Sequence, residues 1–369
     1  MSLNYKDILE KMDMLNVRQI ILQGPPGTSK TYGAKEIILS ALKAENGEDP
    51  NIEVNNNPKE LLKESNISQG NKENNANQPA AYWDIVQFHP SYGYEDFVRG
   101  ITVETKEKSD KGKENNDSSE KFLSYDTVNK IFGRICELAN KDKDKKYFLI
   151  IDEINRADVA TVFGELIYAL EYRDELVSTP YKIDGSNALI VPDNLYIIGT
   201  MNTADKSIGS LDMAIRRRFL FFDCLPDQKV IESYFEKAKD AQESVEAIDS
   251  LKKDICSIFQ RINTFIDNNV SKNSYNPKHF EIGHTYFLPV ALKAWKKDES
   301  EKSKKQVIDE IKTRLEYQVI PMLREYVDIN ILNIPDETKE YEELIKFINC
   351  ESDDLESLYK SLSGHNDRN

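Results

Sequence analysis

Residues Gly24, Pro25, Pro26, Gly27, Thr28, Ser29, Lys30 and Thr31 form a run whose types suit one task, holding a polyphosphate. In such a loop the backbone N–H groups and the first turn of the following helix converge on one point. Lys30 adds a full positive charge there, and Thr31 offers a hydroxyl to Mg²⁺. Tyr32 comes next and is grouped with the loop as a nucleotide-binding candidate. One position departs from the G-x-x-x-x-G-K-[ST] pattern, because Ser29 stands where the second glycine is expected. If that residue needs a positive φ, its Cβ costs on the order of 1 kcal/mol, a tolerable sum that leaves the turnover rate open.

A second group of candidates lies far along the chain. Lys146 to Glu153 reads KYFLIIDE, an apolar run ending in paired acids. That pattern describes a buried parallel strand delivering carboxylates at its C-terminal end, the edge where open α/β sheets bind ligands. Asp152 is then assigned to the Mg²⁺ shell and Glu153 to orienting and deprotonating a water. A second buried strand, 195–200, runs into Met201-Asn202-Thr203-Ala204-Asp205. Asn202 at that tip is placed between the terminal phosphate and the water, and Asp205 is read as a helix cap or a nucleotide contact. Arg216, Arg217 and Arg218 follow a short helical stretch, and Arg217 and Arg218 are the preferred candidates for an arginine finger acting on a neighbour's nucleotide.

These groups need a frame to hold them. The segment before the loop, Arg18 to Gln23, is an apolar strand, and Ala34, Ile37, Ile38, Ala41 and Leu42 recur at helical spacing after it. A short amphipathic helix is expected over 3–15, a strand over 83–89, a helix over about 124–139 and a single apolar-striped helix carrying Val159, Val162, Phe163, Leu166, Ile167 and Leu170. Alternation around Asp184-Gly185-Ser186 predicts a hairpin over 175–194. Two stretches, about 45–81 and 103–121, are so rich in Asn, Glu, Lys and Ser that they read as flexible surface insertions. Beyond 226 the chain turns helical and highly charged, with apolar residues three or four apart over 251–265, 304–323 and 340–349. Arg314, Arg324 and His284 lie in this part, each readable as a lid contact or as an ordinary helical or hydrogen-bonded side chain. The tail after 362 is expected to be disordered.

Composition sets outer limits. The chain has 369 residues, a formal charge of −15 and 31% charged residues. Such an acidic balance argues against a protein whose main business is coating nucleic acid. Four cysteines without a C-x-x-C pair indicate neither a disulfide framework nor a zinc site. No apolar run approaches the roughly 20 residues of a membrane span, and the N-terminus lacks a signal peptide's apolar core, so a cytoplasmic protein is expected.

The ordered succession GPPGTSKT, VQFHPSYGYEDFVRGI, LIIDEINRA, IIGTMNTADKSI and LDMAIRRRF resembles the AAA+ superfamily. Within it, DEINRA, MNTAD and IGHTYF are most similar to the McrB-type motor subunits of methylcytosine-specific restriction systems. The likeness runs from about residue 20 to 225 and continues weakly through 280–287 and 319–327. It implies an α/β fold, a P-loop αβα sandwich with a five-stranded parallel sheet over 1–226, and an all-helical lid over 227–369. It also implies ring-shaped homo-oligomers, hexamers in this family, with nucleotide between protomers, GTP in place of ATP, and an McrC-type nuclease partner that stimulates hydrolysis. DNA is then contacted indirectly, through that partner or through a recognition domain expected outside this chain. By the same resemblance Gly27, Lys30 and Thr31 are phosphate and Mg²⁺ contacts, Asp152 and Glu153 the Walker B pair, Asn202 the first sensor, and Arg217 and Arg218 candidate fingers. Two other readings stay open: an ATP-driven remodeller of protein complexes like the MoxR-type or dynein-related relatives, and a nucleotide-binding scaffold with little hydrolysis because of Ser29.

Overall fold

The computed structural model describes residues 5–46, 81–107, 121–205, 211–238, 245–271, 275–292 and 301–333. The cores of the two polar insertions, the helix expected over 340–349 and the tail lie outside the described residues.

Strands β1 (Gln19–Gly24), β2 (Ala81–Gln87), β5 (Lys146–Asp152), β8 (Leu195–Asn202) and β9 (Leu220–Asp223) make one sheet in the order β2-β5-β8-β1-β9. Every pairing is parallel. Continuous apolar runs suit these strands because each is covered on both faces. Alternate residues serve two different cores. Ile21, Leu149, Ile151 and Ile197 pack into one layer, while Ile20, Leu22, Phe148, Ile150 and Ile198 pack into the other. On the second side lie helices α1 (Tyr5–Leu15) and α2 (Lys30–Asn46), whose Ile8, Met12, Ala34, Ile37, Ile38 and Ala41 are buried. The sheet is therefore the middle layer of an αβα sandwich.

Between β2 and β5 the expected loop and helix are corrected. A short helix α3 (Tyr94–Phe97) leads into an antiparallel hairpin, β3 (Arg99–Glu107) with β4 (Lys121–Asn129). The ends of the polar stretch 103–121 are thus strand, and the helix expected from 124 begins only at α4 (Ile131–Lys141). Thr127 and Val128 are β-branched and Phe122 and Tyr125 aromatic, residue types that favour a strand, a local signal that the longer helical pattern beyond it obscured. The apolar stripe at 159–170 is also divided. It forms α5 (Val159–Phe163) and α6 (Leu166–Ala169), broken where Gly164 takes φ 50° beside the Tyr94 ring. The predicted hairpin is present as β6 (Leu176–Ile183) and β7 (Ser186–Ile190), with Asp184 and Gly185 at φ 50° and 81°, as a tight hairpin turn requires.

Arg99 joins the two hairpins. Its guanidinium donates to Asn129 Oδ1, Thr179 Oγ1 and the carbonyls of Tyr181 and Ala188 at 2.8–3.3 Å. Following the short helix α7 (Met213–Arg216) and β9, the chain becomes helical: α8 (Gln228–Glu236), α9 (Val245–Asn269), α10 (Glu301–Arg314) and α11 (Ile320–Asp328). Their apolar faces share a separate core of Ile231, Phe235, Ile255, Phe259, Ile262, Val307, Ile311 and Leu323, joined by Phe287 from the 3-10 turn His284–Phe287.

Candidate functional site

The parallel sheet brings the carboxyl ends of β1, β5 and β8 to one edge, and β1 lies between β8 and β9, where the connections change direction. Such a switch point leaves a crevice for a ligand. The loop Gly24 to Ser29 turns there. Gly24 cannot be larger, since a Cβ would fall 2.1 Å from the Cys224 carbonyl oxygen. Gly27 sits at φ 78° with Tyr286 and Thr285 against it, and Thr28 Oγ1 donates back to the Pro25 carbonyl at 2.9 Å. Ser29 does take the left-handed conformation, φ 60°, that sequence made a concern.

Lys30 is buried, 7% exposed, and donates to the carbonyls of Gly24 (3.0 Å) and Pro25 (2.8 Å) and to Asn202 Oδ1 (2.6 Å). Burial lowers its pKa to about 8 against the opposing pull of Glu153 and Asp152. Thr31 Oγ1 donates to Asp152 Oδ1 at 2.8 Å, and Thr200 Oγ1 donates to the same oxygen at 2.6 Å. Asn202 Nδ2 in turn donates to Glu153 Oε1. Five candidates from three distant segments, Lys30, Thr31, Asp152, Glu153 and Asn202, therefore form one connected network.

Glu153 is held under strain. It adopts φ 54°, ψ 47°, costly for a residue with a side chain, and its backbone N–H donates to Thr200 Oγ1 at 3.1 Å. Burial, with Asp152 and Asp205 nearby, raises its pKa above the usual carboxylate value, while Lys30 and Arg156 oppose the rise. A carboxylate with a raised pKa is a better proton acceptor. Its Oε2 is buried without a hydrogen-bond partner, as is Asn155 Oδ1. A hydroxyl, a carboxylate oxygen and a second carboxylate oxygen without a hydrogen bond in one crevice are hard oxygen donors, the set that suits Mg²⁺ shared with phosphates. Thr31 and Asp152 are the residues that would hold the ion, which when bound neutralises phosphate charge.

Other candidates fall elsewhere. Asp205 pairs with Arg156 at 3.4 Å, and Arg156 Nε is 3.9 Å from Glu153 Oε2. Tyr32 is 61% exposed at the rim. The arginine run is split by packing. Arg218 has a side chain only 7% exposed, pairs with Glu171 at 2.7 Å and donates to the Ala214 carbonyl at 2.8 Å. The Arg217 side chain is 66% exposed, with Glu171 at 3.6 Å. Arg216 donates to the Leu211 carbonyl and lies over the Phe221 ring. Arg314 is tied to Glu310 and the Thr285 carbonyl, and Arg324 is exposed.

Thr200 was not singled out from sequence, yet it joins Asp152 to the Glu153 backbone. Its signal was there: it stands two residues before Asn202, hence on the same face of β8. The helical part also reaches the loop. Thr285 N–H donates to the Gly27 carbonyl at 3.0 Å, and Gly283 packs so tightly that a Cβ would fall 2.1 Å from Gly27 C and O. Beside the loop is a cleft of about 640 Å³ lined by residues that include Tyr5, Thr28, Ser29, Tyr32, Tyr234 and His284, a volume within the range of ligand pockets.

Fold and site together define a P-loop nucleoside triphosphatase of the AAA+ kind. Residues 19–219 match the family described as AAA domain (dynein-related subfamily), and the chain belongs to that family. It is 32% identical over 279 residues, 73% of its length, to the Type IV methyl-directed restriction enzyme EcoKMcrB subunit of Escherichia coli (strain K12), covering 47% of that protein. A second relative is the Type II restriction enzyme BsuMI component YdiS of Bacillus subtilis (strain 168), 29% identical over 159 residues, 37% of this chain and 46% of that one. The chain thus spans about half the length of the curated relatives it matches. Among solved structures, C. elegans PCH-2 overlays at 15% identity with a TM-score of 0.36, over 84% of this chain and 66% of that one, too loosely to bear on function. No helix of the described residues is long and apolar enough to cross a membrane.

Proposed function

We propose that this chain is the Mg²⁺-dependent motor of a DNA restriction complex, cleaving GTP in preference to ATP within a ring of identical subunits. The observation that carries the hydrolytic part is the network joining Lys30, Asn202 and Glu153 at the ends of β1, β8 and β5. In it Lys30 binds phosphate oxygens, Asn202 positions both Lys30 and Glu153, and Glu153 takes the proton of the attacking water. Gly24 to Thr31 with Tyr32 form the nucleotide cradle, and Thr31 and Asp152 hold the metal. Arg217, exposed and 3.6 Å from its nearest acid, suits a finger reaching the next subunit's nucleotide better than Arg218, which its own protomer holds.

The restriction role, the ring and an McrC-like nuclease partner rest on the likeness to the two restriction-system relatives, and DNA contact is assigned to that partner or to a further domain. Glu153→Gln should retain nucleotide with turnover abolished, measured as phosphate release with GTP and with ATP alongside the mass of the assembly. Unchanged phosphate release in that variant would remove Glu153 from its role. Equal use of ATP, with no stimulation by a nuclease subunit, would favour the protein-remodelling reading instead.

A further inference from the structure

Ser29 looks like a defect in the phosphate loop, but its side chain has a partner. Its Oγ is 3.1 Å from His284 Nε2, across 255 residues of sequence. His284 is 4% exposed and opens the short 3-10 turn His284–Phe287 that packs on the loop. On the other side of the imidazole, the Asp227 backbone N–H donates to Nδ1 at 3.3 Å. A neutral ring that accepts at Nδ1 carries its proton on Nε2. Nε2–H therefore donates to Ser29 Oγ, and the serine's own O–H hydrogen is left to be donated elsewhere. Both side chains line the 640 Å³ cleft beside the phosphate loop.

We propose that Ser29 and His284 act as a relay between lid and substrate: His284 orients the Ser29 hydroxyl, which donates to a phosphate oxygen of the bound nucleoside triphosphate. This rests on the triphosphatase reading above and deepens it. The same imidazole holds the start of α8 through Asp227, so a phosphate that engages Ser29 also clamps two lid segments onto the loop. On this account Ser29 is a binding residue and His284 a positioning residue. The left-handed backbone at position 29 is tolerated because the side chain that strains it also makes a bond glycine cannot. Burial keeps the His284 ring neutral over the physiological range, its pKa lowered to about 4.

The test measures the affinity of the full chain for slowly hydrolysed GTP and ATP analogues in Ser29→Ala, Ser29→Gly, His284→Leu, His284→Gln and the double variant S29A/H284L. Ser29→Ala and His284→Leu should each weaken binding about tenfold, the size of one hydrogen bond to a charged acceptor, and the double variant should be no weaker than either. His284→Gln, which keeps an N–H aimed at Ser29, should recover most of the loss. Ser29→Gly should lose the same tenfold even though it relieves the backbone, and it should fold, since its φ suits glycine. Binding by Ser29→Gly equal to or tighter than that of the unaltered chain, or losses that multiply in the double variant, would overturn the relay. Failure of the unaltered chain to bind either analogue would instead overturn the triphosphatase reading.

Discussion

Lys30 makes the site sensitive to pH in the alkaline range. The residue is 7% exposed, and burial brings its pKa down to about 8. In the absence of substrate its three acceptors are two carbonyls and the Asn202 amide oxygen, none carrying charge. With a pKa of about 8, roughly nine-tenths of the molecules hold a charged lysine at pH 7, half at pH 8 and a tenth at pH 9. A triphosphate binds the charged form and holds the proton there. Its apparent dissociation constant should therefore rise about tenfold between pH 7 and pH 9, and binding at pH 8 should take up about half a proton.

Titration calorimetry of a slowly hydrolysed triphosphate, in two buffers of different ionisation enthalpy, measures both quantities. Lys30→Arg supplies the control, because a guanidinium stays charged throughout; its binding, however weak, should not change with pH. Without nucleotide the sign is opposite. The folded-state pKa lies below the unfolded value of 10.5, so between pH 8 and 10.5 the unfolded chain binds more protons. This group's contribution to stability accordingly rises with pH. Constant affinity of the unaltered chain from pH 7 to 9, or binding without proton uptake, would refute the account of a buried lysine whose charge the substrate restores.

Asn202→Ala removes a side chain hydrogen-bonded to both Lys30 and Glu153, so turnover should fall at least a hundredfold while nucleotide affinity changes only a few-fold, read from single-turnover rates and binding on the same sample. Arg217→Ala should leave thermal stability within about 0.5 kcal/mol, as for an exposed residue, yet cut turnover of the assembled protein about a thousandfold or more if it is the finger. Arg218→Ala should instead destabilise the chain by roughly 1–3 kcal/mol through lost buried hydrogen bonds, seen in denaturant unfolding. His284 has its pKa lowered from 6.5 to about 4 by burial, with Asp227 opposing. Its contribution to stability is complete above pH 6.5 and declines as pH falls toward 4, so an unfolding midpoint in His284→Gln should depend less on pH across that window.

The parts of the site legible in sequence were those with a local grammar. A glycine loop between an apolar strand and a helix, and acids or an amide at the end of a buried run, each state their own position on a parallel sheet. That is why Lys30, Thr31, Asp152, Glu153 and Asn202 meet as the order of motifs implies. The β3–β4 hairpin was hidden because its polar, alternating strands flank a stretch of low apolar content, which composition alone reads as loop. The stripe from Val159 to Leu170 kept helical spacing across a break that only the Tyr94 ring against Gly164 makes visible.

Three consecutive arginines offered no such grammar, and packing alone separates them. Arg218 is held inward: its backbone carbonyl accepts from Gln19 on β1, and its side chain pairs with Glu171 and donates to the Ala214 carbonyl. Arg217, one position earlier, points outward, so a finger assignment depends on a direction that spacing does not contain. Ser29 carries the same lesson further. Judged against its neighbours it is a strained substitution, and its partner His284 sat in a motif with no metal or catalytic spacing. Each residue alone invites a bland reading. Together they join a hydroxyl of the phosphate loop to the lid, and the sequence distance between them is the reason the pair appears only when the lid is folded onto the loop.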